Sequence, residues 1–151
     1  MADVKHFMRA IFSGASSGIG KELAFLLAND GHALVLAARR KESLEDVARE
    51  CRTKGAPEVV IAPWDALDDF GNERLSAALS QLSPTGEIAL INNAGSALFG
   101  DFATSEFEAL EKMVRVNLIG TMAATRELLP LMIADEKGQI VNLISIAGTQ
   151  I

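Results

Sequence analysis

Three glycines early in the chain are spaced so that the backbone can hold an anion. They lie in the segment Ser13–Gly20 (SGASSGIG), between a short apolar run and an amphipathic stretch. Glycine allows a sharp turn and a close approach to a ligand, and the free N–H groups at a helix start attract negative charge. The segment therefore predicts a pyrophosphate site, and the alternative is a strand–helix turn that binds nothing. The candidate binding residues are Ser13, Gly14, Ser16, Ser17, Gly18, Ile19 and Gly20.

The rest of the chain alternates short apolar runs with longer amphipathic segments. Runs that are apolar on both faces, with helices between them, indicate an α/β fold whose parallel sheet is covered on both sides. With right-handed crossovers, the simplest arrangement is a doubly wound sheet of order 3-2-1-4-5, in one domain spanning residues 1–151. The predicted strands are Phe7–Ser13, Ala33–Ala38, Glu58–Ala62, Ile88–Ile91 and Gln139–Ile144. The predicted helices are Ser17–Asp30, Glu42–Lys54, Leu67–Leu82 and Ser105–Ala134, the last with a kink near Pro130.

A second glycine-containing segment, Asn92–Gly95 (NNAG), follows the fourth apolar run. In the predicted order, strands one and four are neighbours whose connections leave in opposite directions, so a crevice opens between their carboxyl ends. We expect this segment to form one wall of the crevice, with asparagine side chains tying it to the first glycine loop. The alternative is an ordinary turn. The candidate residues here are Asn92, Ala94 and Gly95.

Two arginines occupy the position at which a dinucleotide-binding fold contacts the adenosine ribose. That position lies about 20 residues beyond the glycine loop, and an acidic residue there favours NAD. Arg39 comes 19 positions after Gly20, and Arg40 follows it. Because arginine forms charge-assisted, often bidentate bonds to a phosphate, the pair predicts that NADP(H) is preferred over NAD(H). The alternative is a solvated start of the next helix.

These motifs together resemble the signature of the short-chain dehydrogenase/reductase family, which has a Rossmann fold. The resemblance rests on the spacing G-x-x-x-G-x-G and on the Asn-Asn-Ala-Gly string, and it covers the first five strands of the family. The family usually has threonine where this chain has Ser13, and the hydroxyl is kept. The resemblance implies hydride transfer between a nicotinamide and a small carbonyl or alcohol substrate. Asp65 matches a family position that contacts adenine; the alternative is a helix N-terminal acid.

Two further residues match catalytic positions of that family. Asn117, in Val-Asn-Leu-Ile-Gly, falls on the apolar stripe of the long helix, where a polar amide needs a partner. The resemblance implies that it holds a water at the active site, and the alternative is a bond to nearby backbone. Ser145 follows strand five and would bind the substrate oxygen; the alternative is a serine that caps a turn.

The tyrosine and lysine that the resemblance implies are missing. A tyrosine would act as general acid/base, and a lysine would lower its pKa from about 10. The chain contains no tyrosine, and it ends at Ile151, six residues beyond Ser145. We expect a longer chain, or a partner that covers the open edge of strand five. The resemblance also implies a homodimer or homotetramer.

Charge and composition argue against several classes of binding partner. The net charge is −6 and the isoelectric point is near 4.9, which makes a nucleic-acid partner improbable. Cys51, His6 and His32 make no metal-ligand pattern. We also expect no membrane segment, because no apolar run is long enough to span a bilayer, and a cytoplasmic location is the default.

Two other functions stay open on the sequence. A truncated, non-catalytic module that only binds the dinucleotide would explain the missing tyrosine. A methyltransferase that uses adenosylmethionine is disfavoured, because that class usually has an acidic residue where Arg39 stands.

Overall fold

Five parallel strands form one sheet in the computed structural model, which describes residues 7–67 and 73–146. The order is β3-β2-β1-β4-β5, which confirms the predicted 3-2-1-4-5 arrangement. Observed and predicted bounds differ by no more than two residues. The strands are β1 (Met8–Ser13), β2 (Ala33–Ala38), β3 (Val59–Pro63), β4 (Glu87–Asn92) and β5 (Gly138–Asn142).

Burial on both faces explains why the central strands pair in parallel. Every residue of β2 and β4 is buried, and only the first residue of β1 is partly exposed. Such strands need helices on both faces of the sheet. Apolar side chains accordingly form two clusters, one around Phe12, Leu34 and Leu36 and one around Ile11, Leu90 and Leu128.

The first two helices cover one face of the sheet. These are α1 (Gly18–Asn29) and α2 (Lys41–Lys54), whose buried residues belong to the first cluster. On the other face, the predicted helix Leu67–Leu82 is observed only as α3 (Arg74–Leu79), followed by a turn at residues 80–82. Residues 68–72 of that prediction lie outside the described part of the chain.

The predicted helix Ser105–Ala134 consists of three consecutive segments. After a short 3-10 turn at Phe102–Thr104, the chain forms α4 (Phe107–Val114), a π-helical turn at Arg115–Gly120, and α5 (Thr121–Ala134). The irregularity therefore falls well before Pro130, and the chain stays helical through that residue.

A close contact explains the glycine at the end of the π-helical turn. A Cβ atom at Gly120 would lie 2.6 Å from the Cβ of Ala66. Only glycine lets the helix approach the segment after β3 so closely. This contact brings α4 to the carboxyl edge of the sheet.

The β5 side of the sheet carries an exposed apolar surface. All five residues of β5 are exposed. Ile140 of this strand lies beside Met122, Leu129 and Ile133 of α5, which are 40–67% exposed.

Candidate functional site

Two loops meet at the carboxyl ends of β1 and β4 and are held together by hydrogen bonds. The Ser13 hydroxyl accepts from the backbone N–H groups of Asn93 and Ala94, each at 3.0 Å. The side-chain amide of Asn93 donates to the carbonyls of Ser13 and Gly14, each at 3.1 Å. Asn93 thus makes the link that the sequence led us to expect from this pair of asparagines.

Glycine is required where the two loops touch. Gly14 has a φ of +71°, and a Cβ atom there would lie 2.9 Å from the Cα of Ala94. A Cβ at Gly20 would collide with the Asn93 amide and with the Gly14 carbonyl oxygen at 2.6 Å. Gly18 differs, because its φ is +57° but no heavy atom lies within 4 Å of where a Cβ would be. The space beside Gly18 is therefore open.

The start of α1 leaves backbone donors for a ligand. Ser17 precedes the helix, and its side chain caps none of the backbone N–H groups. The first N–H groups of any α-helix lack intrahelical acceptors, and the helix dipole adds partial positive charge there. Because Ala15 donates its N–H to Ala37 of β2 at 3.1 Å, the loop holds these donors at the sheet edge.

A cleft of about 600 Å³ opens above this edge, within the size range of ligand pockets. The predicted residues that line it are Gly14, Ser16, Ser17, Ile19, Arg39, Arg40, Asp65, Ala94 and Gly95. Ser13, Gly18 and Gly20 are not among the lining residues and shape the loop behind it.

Three segments that the sequence did not indicate complete the walls. One is the continuation of the second loop, Ser96–Leu98. Another is Trp64, which packs against the second core cluster and also lines the cleft. The third is one face of α4 and the π-helical turn, formed by Ala109, Lys112, Met113 and Val116. Their spacing of i, i+3, i+4 and i+7 is visible in the sequence and could have indicated a common helical face.

The cleft is positively charged although the whole chain is acidic. Its charged lining residues are Arg39, Arg40, Lys112 and Asp65, an excess of two positive charges in a chain of net charge −6. Arg40 donates to the Ser16 hydroxyl at 3.4 Å, which joins the end of β2 to the glycine loop. The carboxylate of Asp65 accepts from the N–H of Leu67 at 3.1 Å. Such a cleft attracts an anionic ligand.

Asn92 lies behind the cleft and is not among its lining residues. Its side-chain amide donates to Asn142 at 2.8 Å and to Thr125 at 3.2 Å. Its buried Oδ1 has no hydrogen-bond partner among the residues that the structure describes. Asn92 therefore connects β4 to β5 and α5.

Neither catalytic candidate is among the residues that line the cleft. Asn117, on the π-helical turn, is exposed, whereas a buried apolar stripe was expected. Its amide accepts from the N–H of Ser96 and donates to the Ser96 carbonyl, both at 2.8 Å. The backbone bond that the sequence left as the alternative is therefore present. Ser145 is exposed, two residues after Leu143, whose N–H bonds to Asn92 at 2.9 Å.

The strand order, the glycine-loop geometry and the cleft at the switch point define a dinucleotide-binding α/β protein. The chain belongs to the short chain dehydrogenase family, whose model matches residues 9–151. This match supports the resemblance drawn from the two glycine motifs, and the family is one of oxidoreductases.

Individual relatives agree with this family. The chain is 38% identical over 140 residues to mouse "Dehydrogenase/reductase SDR family member 7", covering 90% of this chain and 41% of the relative. A metagenomic short-chain oxidoreductase solved in complex with NADP is 30% identical, with a TM-score of 0.84 over 95% of this chain and 64% of that one. An alcohol dehydrogenase from Thermococcus sibiricus, complexed with 5-hydroxy-NADP, is 28% identical with a TM-score of 0.85, covering 96% of this chain and 61% of that one. The chain thus spans less than two thirds of the length of each of these relatives.

Membrane-spanning helices and clusters of metal ligands are both absent from residues 7–67 and 73–146. No helix there is long and apolar enough to cross a membrane. Within the same residues, no group of three or more histidine, cysteine, aspartate or glutamate side chains is placed to hold a metal ion.

Proposed function

We propose that this chain binds NADP(H) and forms the cofactor-binding part of an oxidoreductase. The reaction is hydride transfer between the nicotinamide and the carbonyl or alcohol carbon of a small molecule. The observation that carries this proposal is the cationic cleft built over the uncapped start of α1. An anionic dinucleotide matches both the backbone donors and the charge.

The proposed orientation of the cofactor follows from the strand order. The pyrophosphate lies at the start of α1, against the loop that contains Gly14 and Gly18. The adenosine lies toward β2 and β3, where Arg39, Arg40 and Asp65 line the cleft. The nicotinamide lies toward β4, where Ala94 and Gly95 line it.

The preference for NADP(H) over NAD(H) rests on the end of β2. Arg39 and Arg40 line the cleft, and Arg40 contacts Ser16, so a 2′-phosphate would meet two guanidinium groups and a hydroxyl. A hydrogen bond to a charged group contributes about 1.5–3 kcal/mol, roughly ten- to a hundredfold in affinity. The solved relatives with NADP and 5-hydroxy-NADP are consistent with this preference.

Calorimetric titration with NADPH and NADH tests the assignment. The unsubstituted chain should bind NADPH at least about tenfold more tightly, and Arg40→Ala should lower NADPH affinity while leaving NADH affinity nearly unchanged. Arg49→Ala is the matched control, because Arg49 is an exposed cation paired with Asp46 at 3.0 Å outside the cleft. Equal affinities for the two cofactors would refute the preference.

For the chemical step, we propose that Ser145 binds the substrate oxygen. Its position three residues beyond Asn142, which pairs with Asn92 at the carboxyl end of β4, supports this role. Asn117 would position the cleft wall through Ser96 and hold a water near the reacting atoms. The chain has no tyrosine, so a tyrosine general acid would have to be supplied from outside these 151 residues.

A non-catalytic dinucleotide-binding module is the second candidate. The family match favours an enzyme over this candidate. Intact mass and turnover measured on the same purified sample separate the two. A mass above 16.1 kDa together with NADPH oxidation on a carbonyl panel supports the enzyme. A mass of 16.1 kDa with binding but no turnover supports the module.

Self-association is also proposed, as a homodimer or homotetramer. Support comes from apolar side chains on the outer surface of α4 to α5, where Val114, Leu118 and Met122 are 49–59% exposed. Light scattering coupled to size exclusion measures the mass in solution, and a monomer at all concentrations would contradict the proposal. A cytoplasmic location stays a prediction of the sequence.

A further inference from the structure

Lys112 is a cation of the cleft for which the proposed function has no role. It lies on the same helical face as Ala109, Met113 and Val116, all of which line the cleft. Its side chain is exposed, and within the described part of the chain no carboxylate lies within 4.0 Å of its ammonium. The charge is therefore available to a ligand.

The π-helical turn packs the helical stretch that carries Lys112 against the segment after β3. Gly120 rests on Ala66, which follows Asp65 at the end of β3. The helical stretch that carries Lys112 is therefore packed against the segment after β3, and residues of both line the cleft.

The two arginines of the cleft follow β2, the strand next to β3. β3 pairs with β2, and the N–H of Trp64 donates to the carbonyl of Ala38 at 3.0 Å, just before Arg39 and Arg40. The two arginines and Lys112 thus line one cleft from different elements. Asp65 is the single carboxylate among the residues that line the described cleft.

We propose that Lys112 is a specificity-determining residue that faces the 2′-phosphate of NADP(H) from the α4 side of the cleft. This inference rests on the proposed cofactor. A 2′-phosphate adds close to two negative charges near the ammonium, whereas the ribose 2′-hydroxyl of NAD(H) adds none. The attraction acts partly through water, so it is modest and weakens as salt screens it.

Lys112→Met tests the role, because methionine keeps an unbranched apolar side chain and removes the charge. Arg115→Met is the matched control: it removes one cation from the next turn of the same helix, where Arg115 is paired with Glu111 at 3.4 Å and does not line the cleft. Dissociation constants are measured for NADPH and NADH, and for the fragments 2′,5′-ADP and 5′-AMP. Circular dichroism melts verify that both variants fold.

The expected result is selective. Lys112→Met should weaken NADPH and 2′,5′-ADP binding by about two- to fivefold, the scale of an exposed ion pair. NADH and 5′-AMP binding should be unaltered, and the difference should fade between about 0.05 and about 0.5 M salt. Arg115→Met should change none of these values.

Other outcomes overturn the inference and are distinguishable from failure of the proposed function. An equal loss for NADPH and NADH would assign Lys112 to the pyrophosphate or to packing, and no loss would remove it from the site. In both cases the unsubstituted chain still binds NADPH. If that chain binds neither dinucleotide, the proposed function fails, and the role of Lys112 fails with it.

Discussion

Asn93 is bonded to Ser13 from two directions. Its backbone N–H donates to the Ser13 hydroxyl at 3.0 Å, and its side-chain amide donates to the Ser13 carbonyl at 3.1 Å. Ser13 is only 2% exposed, so these bonds form away from water. Because Ser13 ends β1 and Asn93 follows β4, the two principal walls of the cleft are held in place before a ligand binds.

Removal of the Ser13 hydroxyl should destabilise the fold. Ser13→Ala leaves the N–H groups of Asn93 and Ala94 without their acceptor, and each unsatisfied group costs about 1–3 kcal/mol. Urea unfolding should therefore show a loss of roughly 2–4 kcal/mol. Ser13→Thr keeps the hydroxyl and serves as the control. A loss below about 0.5 kcal/mol in the alanine variant would mean that the hydroxyl does not hold the loops together.

Gly18→Val should abolish NADPH binding while leaving the fold largely intact. A β-branched side chain at a φ of +57° costs about 1–2 kcal/mol, and the valine would project into the open space at the start of α1. Gly31→Val is the matched control, because Gly31 has a φ of +81° with nothing within 4 Å of where a Cβ would be, and it follows the opposite end of α1 from the glycine loop. It should lose similar stability and keep its affinity. Unchanged NADPH affinity in Gly18→Val would place the dinucleotide elsewhere.

Cys51 should resist thiol reagents in the folded protein. Burial, followed by the nearby charge of Glu50, raises the pKa of the Cys51 thiol from 9.0 to about 11, and its side chain is fully buried. At pH 8 the reactive thiolate is therefore about a hundredfold scarcer than in the unfolded chain. Iodoacetamide labelling followed by mass spectrometry should be slow until denaturant is added.

The same pKa shift predicts a pH dependence of stability. The folded state holds the Cys51 proton more tightly, so its contribution is complete below pH 9 and is lost as the pH rises toward 11. The free energy of unfolding should fall across that window by up to about 2–3 kcal/mol. Cys51→Ala should flatten this part of the profile, and an identical slope in the variant would assign the effect to other groups.

Asn117 should control the mobility of the loop at Ser96. The Asn117 amide occupies both backbone polar groups of Ser96 at 2.8 Å. Asn117→Ala should speed hydrogen exchange of the Ser96 amide and weaken NADPH binding, with only a small effect on unfolding because the site is exposed. NMR exchange rates measure the first effect. Unchanged protection of Ser96 would show that Asn117 does not order this wall.

The strand framework was accessible from the sequence because burial determines both composition and pairing. Ala33–Ala38 reads as an uninterrupted apolar run, and the structure buries all six residues with these bounds. The prediction for β5 extended to Ile144, whereas the strand stops at Asn142, opposite the last residue of β4. Where a strand stops depends on its neighbour, which the local sequence does not contain.

Side-chain direction at the site was harder to predict. Asn92 and Asn93 are adjacent and chemically identical, yet Asn93 turns toward β1 while Asn92 turns toward β5 and α5. Successive residues of an extended segment point in opposite directions, so one of the two must face away from the cleft. Which one does so depends on the register of the sheet.

The α4 wall could not be predicted because it depends on tertiary contact. The π-helical turn and the approach of Gly120 to Ala66 join residues far apart in sequence. The helical spacing of Lys112, Met113 and Val116 indicates a common face. This spacing does not indicate which element that face packs against.

The central claim is that a nicotinamide dinucleotide occupies this cleft. NMR titration of the isotope-labelled chain with NADPH tests it most directly, because the backbone amides of Gly14, Gly18 and Ala94 report on the two loops. The account predicts large shifts at these amides, with those of Ser76 and Leu131, which line a separate cavity together with Ile88, unchanged. Unaltered spectra at millimolar NADPH, or shifts confined to other surfaces, would contradict it.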